Sequence, residues 1–122
     1  MVLVDTAVWI AFLRGQPTIV AAITELLEAE RVLGHPFGAG ELLLGQSGAD
    51  TVLAECAQLG QGPIVAHGEV VAFVAAHGLA RQGLGWVDVH LLAAAVLTRA
   101  RVWTLDRAVA AAAVRLGVAH PA

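Results

Sequence analysis

The chain has 122 residues, 58% hydrophobic and 14% charged, with a mean hydropathy of +0.76. That length suits one domain spanning residues 1–122, and the apolar content excludes disordered, collagen-like and polar low-complexity classes. Ten Asp and Glu stand against seven Lys and Arg, all of them Arg, for a net charge of −3. By composition alone this is a poor electrostatic footprint for a nucleic-acid binder. No run of about 18 apolar residues escapes charges and Pro or Gly breaks, so no spanning helix and no membrane association are expected. The apolar start contains Asp5 and lacks a basic leader, which argues against a signal peptide and for a cytoplasmic protein. The single cysteine, Cys56, has no internal disulfide partner and reads as a small core residue.

In chain order, Val2–Val4 is a short apolar run ending at Asp5, the pattern of a buried parallel strand. From Thr6, the residues Val8, Trp9, Phe12 and Leu13 recur at helical spacing until Arg14-Gly15 stops them. A second helix starts at Pro17 or Thr18 and buries Ile19, Val20, Ile23, Leu26 and Leu27, with Glu25, Glu28, Glu30 and Arg31 in solvent. Val32-Leu33 is a second strand. Residues 34–40 form a glycine-containing lead-in to a short helix over Glu41–Gly45. Another helix covers Asp50–Leu59, broken by Gly60-Gln61-Gly62-Pro63, and Ile64–Ala66 is a third strand or an extended segment. Val70, Val71, Phe73 and Val74 carry a helix ending near His77-Gly78. A strong helix follows from Trp86 to about Thr98, then a strand over Arg101–Leu105, an Ala-rich helix from Ala108 to Leu116, and an edge strand at Val118-Ala119. Strands alternating with helices predict an α/β layered domain around a parallel sheet.

In such a sheet, ligand sites form beyond the carboxyl ends of the strands. Asp5 and Asp106 each follow a strand and precede a helix, while Glu41 and Asp88 are read in the first turns of helices. All four therefore belong to one edge. Carboxylates crowded together repel, and a hard divalent cation with oxygen ligands, Mg²⁺ or Mn²⁺, relieves that repulsion. Taken singly, each acid is equally well explained as a helix cap. Their conjunction is what points to a metal site.

Four segments carry a resemblance over nearly the whole chain: Val4-Asp5-Thr6-Ala7-Val8-Trp9-Ile10, His35-Pro36-Phe37 with Gly40-Glu41-Leu42, Gly85-Trp86-Val87-Asp88-Val89-His90-Leu91-Leu92, and Trp103-Thr104-Leu105-Asp106. In order and spacing the chain resembles a PIN-domain ribonuclease toxin of the VapC type. The resemblance implies an α/β/α sandwich with a central four- to five-stranded parallel sheet. It also implies Mg²⁺- or Mn²⁺-dependent hydrolysis of RNA phosphodiesters, leaving 5′-phosphate and 3′-hydroxyl ends. Asp5, Glu41, Asp88 and Asp106 occupy the places of its acidic, metal-binding and catalytic quartet. It further implies a cognate VapB-type antitoxin, homodimerisation and a toxin–antitoxin hetero-oligomer. Ala7 departs from the Ser often found beside the first Asp, leaving Thr6 and Thr104 as auxiliary hydroxyls.

Without the four acids, seven arginines face six remaining acids, and Arg14, Arg81, Arg99, Arg101 and Arg107 are candidates for phosphate contact, Arg107 nearest the site in sequence. Each also serves as a solvent-facing or salt-bridged residue. Thr104 has either a phosphate or metal-water role or a local hydrogen bond. His90 reads as polar packing, His35 as a loop or second-strand residue, and His67 as a helix entry. Trp9, Phe12 and Leu13 form a stripe read mainly as core and secondarily as a partner groove. A receiver domain would need a late-strand Lys and a haloacid-dehalogenase phosphatase an Asp-x-Asp; the chain has neither. The rival from another class is a catalytically inactive α/β interaction module.

Overall fold

The computed structural model describes residues 1–46 and 48–121. Its elements, in chain order, are β1 (Val2–Val4), α1 (Thr6–Leu13), α2 (Pro17–Glu28), β2 (Val32–Gly34), α3 (Pro36–Gly45), α4 (Asp50–Cys56), β3 (Gly60–Gln61), α5 (His67–His77), α6 (Trp86–Thr98), β4 (Arg101–Trp103) and α7 (Arg107–Arg115). The four strands form a parallel sheet in the order β3-β2-β1-β4.

Alternation along these short strands divides the core between the two sheet faces. Val2 and Val4 of β1, Val32 of β2 and Trp103 of β4 point to one face, where they pack with Val8, Trp9, Ile23, Leu26, Leu42 and Val52 from α1–α4. Leu3, Leu33 and Val102 point to the other and pack with residues of α5, α6 and α7. β1 and β2 lack polar residues because both of their faces are covered, and in β4 only the exposed first residue, Arg101, is polar. The result is the expected α/β/α sandwich, with α1–α4 on one side and α5–α7 on the other. No single helix among the described residues is long and apolar enough to cross a membrane.

Several boundaries differ from the sequence reading. The helix carrying Glu41 starts at Pro36, five residues early, because Pro36 is preset for the first helical position and His35 caps it, its Nδ1 accepting from the Phe37 N–H at 3.1 Å. Glu41 thus lies in the second turn rather than the first. Of the glycines read as a lead-in, Gly38 and Gly40 are helical and Gly34 ends β2; a Cβ at Gly38 would stand 3.7 Å from Thr6 Oγ1 of α1, an ordinary contact.

The third strand is Gly60–Gln61, within the segment read as a helix break, while residues 64–66 stay unpaired. Two exposed residues make this edge, and the adjoining Gly62 donates to the Gly34 carbonyl at 2.7 Å. A Cβ at Gly62 would stand 3.3 Å from the His35 ring and 3.4 Å from Gly34 O, so only glycine enters this edge without displacing its neighbours. α4 ends at Cys56 and β4 at Trp103, both earlier than their apolar runs. The last edge strand is reduced to one parallel bridge, Val102 to Ala119.

Candidate active site

The order in which strands are added switches sides at β1: β2 and β3 follow each other on one side of β1, and β4, parallel to it, lies on the other. A crevice beyond the carboxyl ends opens at such a switch. Asp5 leaves β1 and caps α1, and Asp106 follows β4 and caps α7, so two carboxylates flank it.

Asp5 is 5% exposed. Its Oδ1 accepts from the Thr6 N–H at 2.8 Å and its Oδ2 from Thr104 Oγ1 at 2.7 Å. Thr104 Oγ1 in turn accepts from the Asp106 N–H at 3.0 Å, so one hydroxyl, 99 residues from Asp5 in sequence, joins the first acid to the last. Thr6 plays the matching part on the other flank, its Oγ1 donating to Glu41 Oε1 at 3.0 Å. Asp88, in the first turn of α6, accepts from the Gly85 N–H at 2.7 Å through Oδ2. Asp106 Oδ1 caps α7 by accepting from the Ala108 and Val109 N–H groups at 2.9 and 3.1 Å. Capping and site membership are thus not alternatives for Asp5, Asp88 and Asp106, because one oxygen of each satisfies a helix N-terminus. Among the described residues, Glu41 Oε2, Asp88 Oδ1 and Asp106 Oδ2 make no hydrogen bond within the chain.

The acids act on one another. Burial, followed by the charges of Glu41 and Asp106, pushes the Asp5 carboxyl above its ordinary range, against the hydrogen bonds from Thr104 and Thr6. Burial, followed by the charges of Asp5 and Asp106, raises Asp88 against its bond from Gly85. Among the described residues, however, no three Asp, Glu, His or Cys side chains are close enough to hold one ion between them directly. The donor set is oxygen-only, mutually repelling and open enough for water between carboxylate and cation. That suits an ion that keeps much of its hydration shell rather than one held in a dry cage.

A ladder of aromatic and imidazole rings adjoins this edge. Phe37 lies 5.4 Å from His35 and 4.7 Å from His90; Trp86 lies 4.8 Å from His90 and 5.3 Å from His67, between ring centroids. His35 Nδ1 is an acceptor, so its Nε2–H donates to the Pro63 carbonyl at 3.1 Å, and burial lowers its pKa further into the neutral form. His90 is buried, its pKa lowered by burial, and its Nδ1 finds no partner. Both histidines are packing and capping groups. The sequence motif contained Trp86 without marking it as exposed; opening a helix directly after Gly85 was the available sign.

The arginines divide unevenly. Arg14 ends α1, Arg99 ends α6, Arg101 opens β4, Arg31 precedes β2 and Arg115 ends α7. In a parallel layered fold Arg31, Arg99, Arg101 and Arg115 lie at the amino edge of the sheet, opposite the acids, whereas Arg14 sits at the 113° bend between α1 and α2. Of the phosphate-contact candidates, Arg99 and Arg101 thus lie away from the acids, and Arg14, Arg81 and Arg107 remain, the last following Asp106. The Trp9 ring is core, with Phe12 and Leu13 half-buried against it, so that stripe is packing.

The sequence profile described as the PIN domain matches residues 2–115. Two curated relatives named "Ribonuclease VapC32", from Mycobacterium tuberculosis strains CDC 1551 / Oshkosh and ATCC 25618 / H37Rv, are each 42% identical over 121 residues. The alignment covers 98% of this chain and 95% of each relative. No solved structure matches it.

Proposed function

The chain belongs to the PIN-domain family, among the ribonuclease toxins of the VapC type, and from that premise we propose that it is a Mg²⁺- or Mn²⁺-dependent endoribonuclease working through Asp5, Glu41, Asp88 and Asp106. The observation that supports this most is the approach of four carboxylates from four separate elements at the switch in strand order, two of them raised chiefly by burial and further by their neighbours' charge. A structural module gains nothing from such repulsion, whereas a cation site requires it.

Asp5, Glu41, Asp88 and Asp106 would hold the cation, in part through its waters, and the cation would supply charge neutralisation at the scissile phosphate and a more acidic water. Within the chain, Thr104 keeps Asp5 pointed at the crevice and Thr6 does so for Glu41. The helix N-termini hold one oxygen each of Asp88 and Asp106, leaving the other free. Arg107, beside Asp106 and exposed, meets the phosphate chain. The products expected are 5′-phosphate and 3′-hydroxyl ends.

In the cell such an enzyme requires restraint, and a cognate VapB-type antitoxin in a hetero-oligomer supplies it, with homodimerisation of the toxin. Leu43 and Leu44 on α3, 65% and 89% exposed, are apolar surface suited to a partner. The cytoplasm is the compartment where both RNA and antitoxin are met. The test is cleavage of single-stranded RNA by the purified chain with Mg²⁺ or Mn²⁺, with and without EDTA, beside Asp5→Asn. Metal-dependent cleavage lost in Asp5→Asn supports the proposal. Equal cleavage by the variant overturns the assignment of Asp5 to the site, and no cleavage by the wild type leaves an interaction module instead.

A further inference from the structure

Trp86 is the first residue of α6, two before Asp88 and directly after the glycine whose N–H holds Asp88. It is 45% exposed, whereas Trp9 and Trp103 are 4% and 5% exposed. An indole left in water beside a polar site is uncommon unless its face has work to do. The protein side of the ring is fixed by His90, edge-on at 4.8 Å, and by His67 at 5.3 Å. Beside it, between α5 and α6, lies a cavity of about 170 Å³ walled by Val74, Leu79, Arg81, Leu84, Trp86 and Val89. That is smaller than the roughly 300–1,000 Å³ typical of drug-sized ligands and is apolar apart from one cation. It matches one flat ring carrying a negative charge nearby.

Charge distribution selects the occupant. Four of the seven arginines sit at the opposite edge of the sheet, and the chain has no lysine, so Arg81 in this wall is one of three arginines left to a polyanion approaching the acids. An aromatic platform, a small apolar slot and an arginine are what unstacked bases of single-stranded RNA use. We propose that Trp86 and Arg81 form a subsite for one nucleobase flanking the scissile phosphate, the base stacking on Trp86 and its phosphate meeting Arg81. This rests on the ribonuclease reading for its substrate class and adds to it the feature that sets which RNA conformation is accepted. A base must leave its stack to reach Trp86, so single-stranded loops are preferred to duplex.

The experiment uses full-length Asp5→Asn protein in Mg²⁺, in which turnover is removed, titrated with single-stranded oligoadenylate and with the same oligomer carrying abasic positions. With Trp9 and Trp103 buried, a change in solvent-quenchable emission reports Trp86. Binding of the intact oligomer is expected to quench Trp86 and shield it from acrylamide, and abasic positions to weaken both effects. Adding Trp86→Leu is expected to weaken binding about tenfold, with Trp86→Phe restoring most of it. Arg81→Gln is expected to lower the slope of log affinity against log salt by about 0.7. Oligomer binding with unchanged Trp86 emission, or no oligomer binding, overturns the subsite. Should Trp86→Leu fail to fold, the emission of the parent chain and the Phe variant decide the matter. The two readings fail separately: wild-type protein that quenches with RNA yet never cuts it sinks the ribonuclease and spares the subsite. Metal-dependent cleavage with kcat/KM unchanged in Trp86→Leu sinks the subsite and spares the ribonuclease.

Discussion

Asp5→Asn is expected to make the metal-free protein more stable while removing its activity. Asp5 is almost fully buried, and its carboxylate sits among the charges of Glu41 and Asp106. Removing the charge relieves a desolvation cost on the order of several kcal/mol for a buried ion, part of which the present hydrogen bonds offset. Asn keeps an oxygen for the Thr6 N–H but presents an amide N–H₂ to Thr104 Oγ1, which must turn, forfeiting a charge-assisted bond of about 1.5–3 kcal/mol. The balance is a gain of about 1 kcal/mol, a rise of roughly 4 °C in Tm for a domain of this size.

The pH dependence has a definite sign. Asp5 and Asp88 have folded pKa values above their ordinary 3.8, so between that value and the folded value the native state binds more protons than the unfolded one. Their contribution therefore falls as pH rises through this window, opposite in sign to that of the buried histidines, whose lowered pKa values favour the fold as pH rises. Because the histidines are common to both proteins, the stability advantage of Asp5→Asn over the metal-free wild type should grow from mildly acid to neutral pH. Circular-dichroism melts in EDTA from pH 4.5 to 7.5, repeated in Mg²⁺, measure both effects. Mg²⁺ at 100 times its Kd should stabilise the wild type by about 2.7 kcal/mol and the variant much less. A variant that melts below the wild type in EDTA, or whose Tm advantage shrinks toward neutral pH, would refute the reasoning.

Thr104→Val removes the hydroxyl between Asp5 and Asp106 and leaves the Asp106 N–H without its acceptor, so a loss of about 1–3 kcal/mol by urea denaturation is expected, with reduced kcat in RNA cleavage. Leu3→Ala empties a fully buried position at the centre of the sheet and should cost about 2–5 kcal/mol, read from the urea midpoint at unchanged slope. Cys56 is buried, and burial pushes its thiol up to about 11, so a thiol reagent at pH 8 should label it only as fast as the chain opens, and at once in denaturant.

Much of the fold was legible from local pattern. β1, β2 and α6 are apolar runs bounded by Asp, Gly or Arg, and the acids after β1 and β4 follow from chain order alone. β3 was not legible, because two exposed residues of glycine and glutamine carry no hydrophobic period. The start of α3 was masked by Gly38 and Gly40, which in isolation favour turns, although Pro36 and the capping His35 set it. Which arginines face the site was not legible, since strand starts and the ends of helices that begin at the acids lie a strand or helix length away.

The sequence by itself determined a layered α/β chain with carboxylates at strand exits and helix starts, because apolar runs and caps are local properties. Tertiary structure decided that Thr104 bonds Asp5 from 99 residues away, that Asp5 and Asp88 feel their neighbours' charge, and that Trp86 alone of the three tryptophans remains in water. Those facts depend on distances between segments remote in sequence, and such distances exist only once both sheet faces are packed.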